Sequence, residues 1–159
     1  MAKVLVVDQD KCTACRRYEL ACSFKHTGEF NPAAARLSVA AFLDDNYYLP
    51  VVCQHCDEPA CQAVCPAGAI SRDPRTSAVV INEDRCIGCR MCVMACPFGG
   101  VDYSVSEHKV VKCDLCGGEP ECVLNCPWDA LTYQEAAGQA LGKRQQIARR
   151  VQAALREVV

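Results

Sequence analysis

The chain is poor in what catalytic, membrane or nucleic-acid-binding proteins usually carry. Only 6% of its 159 residues are aromatic, and it has one tryptophan, three methionines and three histidines. A net charge of −2 excludes the basic excess of a nucleic-acid footprint. No apolar run approaches the roughly 20 residues that span a bilayer, and there is no Gly/Ser linker or low-complexity tract. The opening stretch from Met1 is interrupted by Asp8 and Asp10, too early for a secretion signal. Arg16-Arg17 lies inside a cysteine motif and does not read as a twin-arginine signal. A cytoplasmic location is therefore expected. His26, His55 and His108 have no acidic or serine partner at recognisable spacing, so no catalytic residue is expected. His55, inside Cys53-Gln54-His55-Cys56, is expected to hydrogen-bond or pack rather than ligate. Gly99-Gly100 and Gly117-Gly118 read as loop turns, and the absence of a strand–glycine–helix fingerprint argues against an intrinsic flavin or nicotinamide site.

Cysteine is what the chain has in excess. There are 15, an odd number, and they fall in four tight groups rather than spread as a disulfide framework would be. The groups are Cys12, Cys15, Cys22; Cys53, Cys56, Cys61, Cys65; Cys86, Cys89, Cys92, Cys96; and Cys113, Cys116, Cys122, Cys126. The third reads C-x2-C-x2-C-x3-C-P, ending at Pro97, the ligand run of bacterial two-cluster ferredoxins. The second and fourth widen the middle gap and close at Pro66 and Pro127. Structural zinc sites want four ligands in two pairs and do not explain the third cysteine or the C-x3-C-P end. The pattern calls for iron–sulfur clusters.

The sequence also repeats. Leu5 to Arg16 aligns without a gap on Val79 to Arg90, and Cys65-Pro66-Ala67-Gly68-Ala69-Ile70 echoes Cys126-Pro127-Trp128-Asp129-Ala130-Leu131. Each copy has a β-branched strand leading into a cluster loop, or a strand following a C-P end. Nesting accounts for this. Residues 50–105 form an inner two-cluster ferredoxin unit, and residues 1–30 with 106–133 form an outer unit split around it. The expected fold is α+β: two nested bacterial-type two-cluster units of small β-hairpins and short helices, with a C-terminal amphipathic helix. Between the units, residues 31–49 are expected to carry a hairpin turning near Asp44-Asp45-Asn46, which caps clusters against water. Residues 134–159 are expected to form the terminal helix, with Ile147, Val151, Ala154, Leu155 and Val158 at helical spacing, suited to docking on another chain.

In such runs the fourth cysteine serves the other cluster, which gives the pairing. Cys53, Cys56, Cys61 and Cys96 hold one cluster, and Cys65, Cys86, Cys89 and Cys92 its neighbour. Cys22, Cys113, Cys116 and Cys122 hold a third. The last set has only Cys12, Cys15 and Cys126, with Tyr18 where the third run has Cys92. Three readings stay open there: a 3Fe-4S cluster, a 4Fe-4S cluster with a non-cysteine ligand (the Tyr18 oxygen, another side chain or solvent), or simple packing of Tyr18 at an empty or unstable site. The other three clusters are expected to be 4Fe-4S. Leu20, Val64, Met91, Val93, Met94, Phe98 and Trp128 are expected to exclude water from them.

With these motifs in view, the chain resembles the four-cluster iron–sulfur subunits that accompany DMSO reductase, formate dehydrogenase and some hydrogenases. The resemblance rests on Pro50-Val51-Val52-Cys53-Gln54-His55-Cys56-Asp57-Glu58-Pro59-Ala60-Cys61, Arg85-Cys86-Ile87-Gly88-Cys89-Arg90-Met91-Cys92 and Lys112-Cys113-Asp114-Leu115-Cys116, and covers residues 3–133. The compact length and Cys22-Ser23-Phe24-Lys25-His26 are most similar to the electron-transfer subunit of tungsten-dependent aldehyde oxidoreductases. The resemblance implies a non-catalytic subunit of anaerobic metabolism that relays single electrons between a large tungsten- or molybdenum-pterin subunit and an outside acceptor or donor. A flavin- or NAD-binding subunit, or further copies of the chain, would be additional partners; a nucleic acid or a membrane span would not. Tyr18 departs from the family's four-cysteine pattern. The alternatives are a free-standing soluble polyferredoxin, a relay subunit of a hydrogenase or carbon monoxide dehydrogenase, and an iron–sulfur sensor or structural module.

Overall fold

The computed structural model describes residues 3–105 and 107–135. Among them are eight short strands: β1 (Lys3–Val7), β2 (Ser38–Phe42), β3 (Tyr47–Val51), β4 (Ile70–Arg72), β5 (Val79–Ile81), β6 (Val101–Ser104), β7 (Lys109–Lys112) and β8 (Leu131–Glu135). Four helices accompany them: α1 (Arg17–Thr27), α2 (Ala60–Ala63), α3 (Met91–Ala95) and α4 (Glu121–Leu124). The strands pair as four antiparallel ribbons, β1 with β8, β2 with β3, β4 with β5 and β6 with β7.

The β1–β8 ribbon joins the two ends of the described chain, in register from Lys3 opposite Glu135 to Val7 opposite Leu131. Gln134 and Glu135, expected to open a terminal helix, instead complete this ladder against Val4 and Lys3. The rest of that expected helix lies outside the described residues. The β2–β3 ribbon turns between Phe42 and Tyr47, which face each other in register, and Asn46 takes the left-handed conformation that suits asparagine in tight turns. The expected 49/50 boundary falls inside β3, and the 105/106 boundary falls in the β6–β7 turn, where the backbone pairs across it.

A two-stranded ribbon is marginal alone, so these four depend on what lies between them. The interior is three buried groups, each containing cysteine. One holds Cys12, Tyr18, Cys22, Leu37, Val52, Cys122, Cys126, Ala130 and Leu131. A second holds Cys61, Ile70, Val79, Cys92, Val101 and Val110. The third is Cys53, Ala78, Cys113 and Leu115.

Helix α1 is the longest helix among the described residues, and its buried positions are Tyr18, Glu19, Cys22 and Ser23. This i, i+1, i+4, i+5 stripe places Tyr18 and Cys22 one turn apart on a single face. The helix ends at Gly28, whose left-handed backbone lets its N–H reach Phe24 O. Glu19 ties the helix to the β2–β3 ribbon, accepting from Val39 N at 2.7 Å and from Arg16 Nε at 2.6 Å.

Candidate metal centres

Each C-x-x-C loop bends the same way. The residue before the second cysteine has positive φ in all four: Ala14 (52°), His55 (47°), Gly88 (68°) and Leu115 (57°). Three of these carry a side chain in a region that sterics disfavour, so the loops share a conformation that the surroundings impose. The sequence repeat is matched as well. Arg16 and Arg90 are both left-handed and immediately precede α1 and α3, which puts Tyr18 and Cys92 at the second residue of their helices.

Backbone amides point at the sulfurs these bends expose. His55 N donates to Cys53 Sγ at 3.4 Å and Leu115 N to Cys113 Sγ at 3.5 Å, one from each equivalent loop. After two of the C-P ends, Ala69 N reaches Cys65 Sγ and Gly100 N reaches Cys96 Sγ, both at 3.3 Å. Arg36 N reaches Cys22 Sγ at 3.3 Å. Donors of this kind stabilise negative charge on sulfur.

Cys65, Cys86, Cys89 and Cys92 line one cavity, walled by Ile70, Ile81 and Val110. Cys53, Cys56, Cys61 and Cys96 line another, walled by Pro59, Val79, Phe98 and Val101. Each therefore gathers three cysteines of one run and one of the other. Cys122 is an electrostatic neighbour of Cys22, Cys113 and Cys116, and Cys22 of Cys113 and Cys116. Burial pushes the Cys22 thiol up to about 11 and the Cys113 thiol up to about 12, and raises Cys122 as well. Raised values of this kind keep the free thiols protonated, and all four become thiolates together only with a cation among them, which iron would supply. The donor set fits: sulfur ligands, amide donors aimed at them and apolar walls.

The remaining set is different. Cys12 and Cys126 are buried in the group that contains Tyr18, while Cys15 is exposed. Tyr18 is 1% exposed and its ring fills the interior beside Cys12 and Cys15. Its hydroxyl faces Cys12 but has no hydrogen-bond partner of normal geometry among the described residues. Burial, then the Cys12 neighbour, raises its pKa above the ordinary tyrosine value.

Several expected shielding residues are on the surface: Met91 (49% exposed), Met94 (87%), Phe98 (52%) and Trp128 (57%). Helix α3 is too short to turn all its apolar side chains inward, and the buried position on it is Cys92. Leu20, Val64 and Val93 are half-buried.

Three charged residues at these loops had no role assigned from the sequence, although Lys112 and Asp114 lie in the motif that carries the resemblance. Lys112 is buried and donates from Nζ to Cys53 Sγ at 2.8 Å and to Val79 O at 2.5 Å. Arg72 ties the Cys53–Asp57 loop to the β4–β5 turn, donating to Cys56 O at 2.5 Å in the loop and to Ser77 O at 2.7 Å in the turn. Asp114 accepts from Arg36 Nη1 at 2.8 Å and from Cys116 N at 2.9 Å. His26, Asp114 and Cys116 offer ligand atoms within 4.8 Å of one another, but those two hydrogen bonds account for the carboxylate. The available signal for Lys112 was its place directly ahead of a C-x-x-C. His55 accepts from Val79 N through Nδ1 at 3.0 Å, and burial, then Lys112, lowers its pKa to about 3.

Residues 45–136 match the family described as the 4Fe-4S dicluster domain. The chain belongs to that family. Within it, this dicluster chain is 37% identical over 122 residues to the B subunit of the anaerobic dimethyl sulfoxide reductase of Escherichia coli K12, covering 68% of this chain and 58% of that one. It is 41% identical over 111 residues to the aliphatic sulfonate oxidoreductase, polyferredoxin-like subunit, of Pyrococcus furiosus, covering 70% and 64%. It is 38% identical over 112 residues to the electron transport protein HydN of Escherichia coli K12, covering 66% and 62%. The chain thus spans less than two thirds of these relatives' lengths. The fold is also that of a chain in the active site complex BamBC of benzoyl coenzyme A reductase, with TM-score 0.51, 24% identity, and 98% and 97% of the two chains covered. Among the described residues no helix is long and apolar enough to cross a membrane.

Proposed function

We propose that this chain is a non-catalytic electron-relay subunit. It passes single electrons between a large tungsten- or molybdenum-pterin oxidoreductase subunit and an electron acceptor or donor, within a reducing cytoplasm. The observation that carries the reading is the pair of cavities in which three cysteines of one run meet one of the other. It supports cluster ligation by Cys53, Cys56, Cys61 and Cys96, and by Cys65, Cys86, Cys89 and Cys92. The electrostatic neighbourhood of Cys22, Cys113, Cys116 and Cys122 supports a third set, and Cys12, Cys15 and Cys126 are a three-thiolate fourth. Two nested two-cluster units account for the four sets, and the β1–β8 ribbon that closes the outer one supports the nesting.

Bound there, iron–sulfur clusters would supply reversible one-electron chemistry. The chain's own residues space the sites, place amide donors on the sulfurs and exclude water with Ile70, Val79, Val101 and Val110. The names of the dimethyl sulfoxide reductase, sulfonate oxidoreductase and electron transport relatives support a place in an oxidoreductase complex. The exposed Met91, Met94 and Phe98 support a partner-facing edge at the Cys86–Cys96 run.

The test is metal analysis of the tagged chain, purified without oxygen from its own host with whatever accompanies it. At four irons per cubane, about sixteen per chain are expected, or about fifteen with one three-iron cluster. Tungsten or molybdenum in a co-purifying large subunit completes the expected result. Nickel there moves the partner to a hydrogenase or carbon monoxide dehydrogenase, and full iron without a partner indicates a free-standing polyferredoxin. Zinc in place of iron overturns the reading.

A further inference from the structure

Lys112 is a buried cation with no ion-pair partner among the described residues, although Asp73, Glu83 and Asp114 line a cavity with it. It is 5% exposed, and its Nζ donates to a cysteine sulfur and a carbonyl. Among the described residues no carboxylate lies within ion-pair distance of it. An ammonium removed from water is costly unless an anion compensates it. The sulfur it meets is Cys53 Sγ, at 2.8 Å, which is anionic when it ligates iron.

The surroundings hold the ammonium in place. Val79 is fully buried, and its carbonyl accepts from Lys112 while its N–H donates to His55 Nδ1. One residue of β5 thus fixes both the lysine and the histidine that faces the same cavity. Lys112 ends β7, next to Cys113, and reaches across to Cys53. Cys53 and Cys113 pack in one buried group. The positive charge therefore stands at the seam between the set containing Cys53 and the set containing Cys113.

We propose that Lys112 raises the reduction potential of the cluster held by Cys53, Cys56, Cys61 and Cys96, acting through the Cys53 sulfur. The inference rests on the reading that those four cysteines hold a cluster. Reduction adds one negative charge to the set, so a fixed ammonium stabilises the reduced form more than the oxidised one. Burial keeps water and salt from screening the difference, and a charge-assisted N–H···S bond adds to it. The set across the seam receives amide donors, Leu115 N at Cys113 and Arg36 N at Cys22, but no hydrogen bond from a buried ammonium among the described residues. The lysine thus makes the Cys53 side of the seam the better electron acceptor.

The experiment is a redox titration followed by electron paramagnetic resonance on the anaerobically purified chain with its partners, alongside iron analysis. Lys112→Met keeps the stem and removes the charge. With iron unchanged, one cluster's reduction equilibrium is expected to fall at least tenfold, about 59 mV for one electron, while the others stay within twofold. Full iron with no cluster moved overturns the inference and leaves the functional reading standing. A wild-type chain without iron overturns both. If Lys112→Met does not retain iron, Lys112→Arg decides. An arginine variant that keeps iron and holds every potential within twofold sustains the assignment to charge. One that loses iron, or whose potential falls tenfold, overturns it, because the site then requires the shape of lysine rather than its charge.

Discussion

A Cβ added at Gly100 would stand 2.7 Å from the Cα of Cys53 and 3.1 Å from its N. The contact is with backbone, which cannot rotate away, so the glycine is needed for close approach rather than for an unusual φ. Gly100 N also donates to Cys96 Sγ at 3.3 Å. Two cysteines of one cavity, from runs far apart in sequence, thus meet across a residue with no side chain. Gly100→Ala should force them apart, at about 1–3 kcal/mol for overpacking of this kind. The expected outcome is loss of about four irons per chain, read by iron analysis. A fully loaded alanine variant with unchanged melting would show that the loop has room to move.

Glu19 should matter for stability although it carries no ligand. It is 1% exposed and bridges Arg16 Nε to Val39 N, fastening the β2–β3 ribbon to α1. Glu19→Ala leaves the Val39 amide without its acceptor, a loss of about 1–3 kcal/mol. For a domain this size that lowers the melting temperature by about 2–4 °C for each kcal/mol. Scanning calorimetry of the loaded protein at a fixed rate checks it, with iron content expected to stay unchanged. A melting point that does not move would mean that water replaces the carboxylate.

What the sequence made legible was local. Cysteine spacing marked the loops because three residues fix the geometry of a C-x-x-C bend, and Ala14, His55, Gly88 and Leu115 all take that bend. The gapless repeat carried Tyr18 onto Cys92, and both occupy the second position of a helix. The turn near Asp44-Asp45-Asn46 was readable from its residue types. Long-range partners were not readable. Lys112 looks like any solvated lysine on a strand until β7 is set beside the Cys53 loop, and Glu19 looks like an exposed helix acid until Val39 arrives. The exposure of Met94 and Trp128 was hidden for the same reason, since apolar type does not say which face a one-turn helix or a C-P turn presents.

Removing iron should cost the fold, not only the redox chemistry. Cysteine supplies Cys12, Cys22, Cys53, Cys61, Cys92, Cys113, Cys122 and Cys126 to the buried apolar residues, so each buried group is built around prospective ligands. The ribbons alone are too short to stand unaided. Stripping iron anaerobically with a chelator should therefore abolish the cooperative melting transition and expose the buried thiols to labelling, and reconstitution should restore both. An apo-chain that still melts cooperatively with its thiols protected would show that apolar packing suffices.

The three-thiolate set gives the sharpest test of the repeat. Arg16 and Arg90 share a left-handed backbone ahead of α1 and α3, so a cysteine at position 18 would leave its helix where Cys92 leaves α3. Tyr18→Cys should complete a four-thiolate set with Cys12, Cys15 and Cys126. The replacement also removes a buried hydroxyl that has no hydrogen-bond partner among the described residues. If the native site holds a three-iron cluster, iron should rise by about one per chain and the three-iron resonance should vanish. If it holds a cubane with a non-cysteine ligand, iron should stay constant while that cluster's potential falls, because a thiolate donates more charge than oxygen. Either result makes residue 18 the position that sets this cluster apart. Unchanged iron, spectrum and potentials would mean that Tyr18 is neither a ligand of this set nor the gap in it.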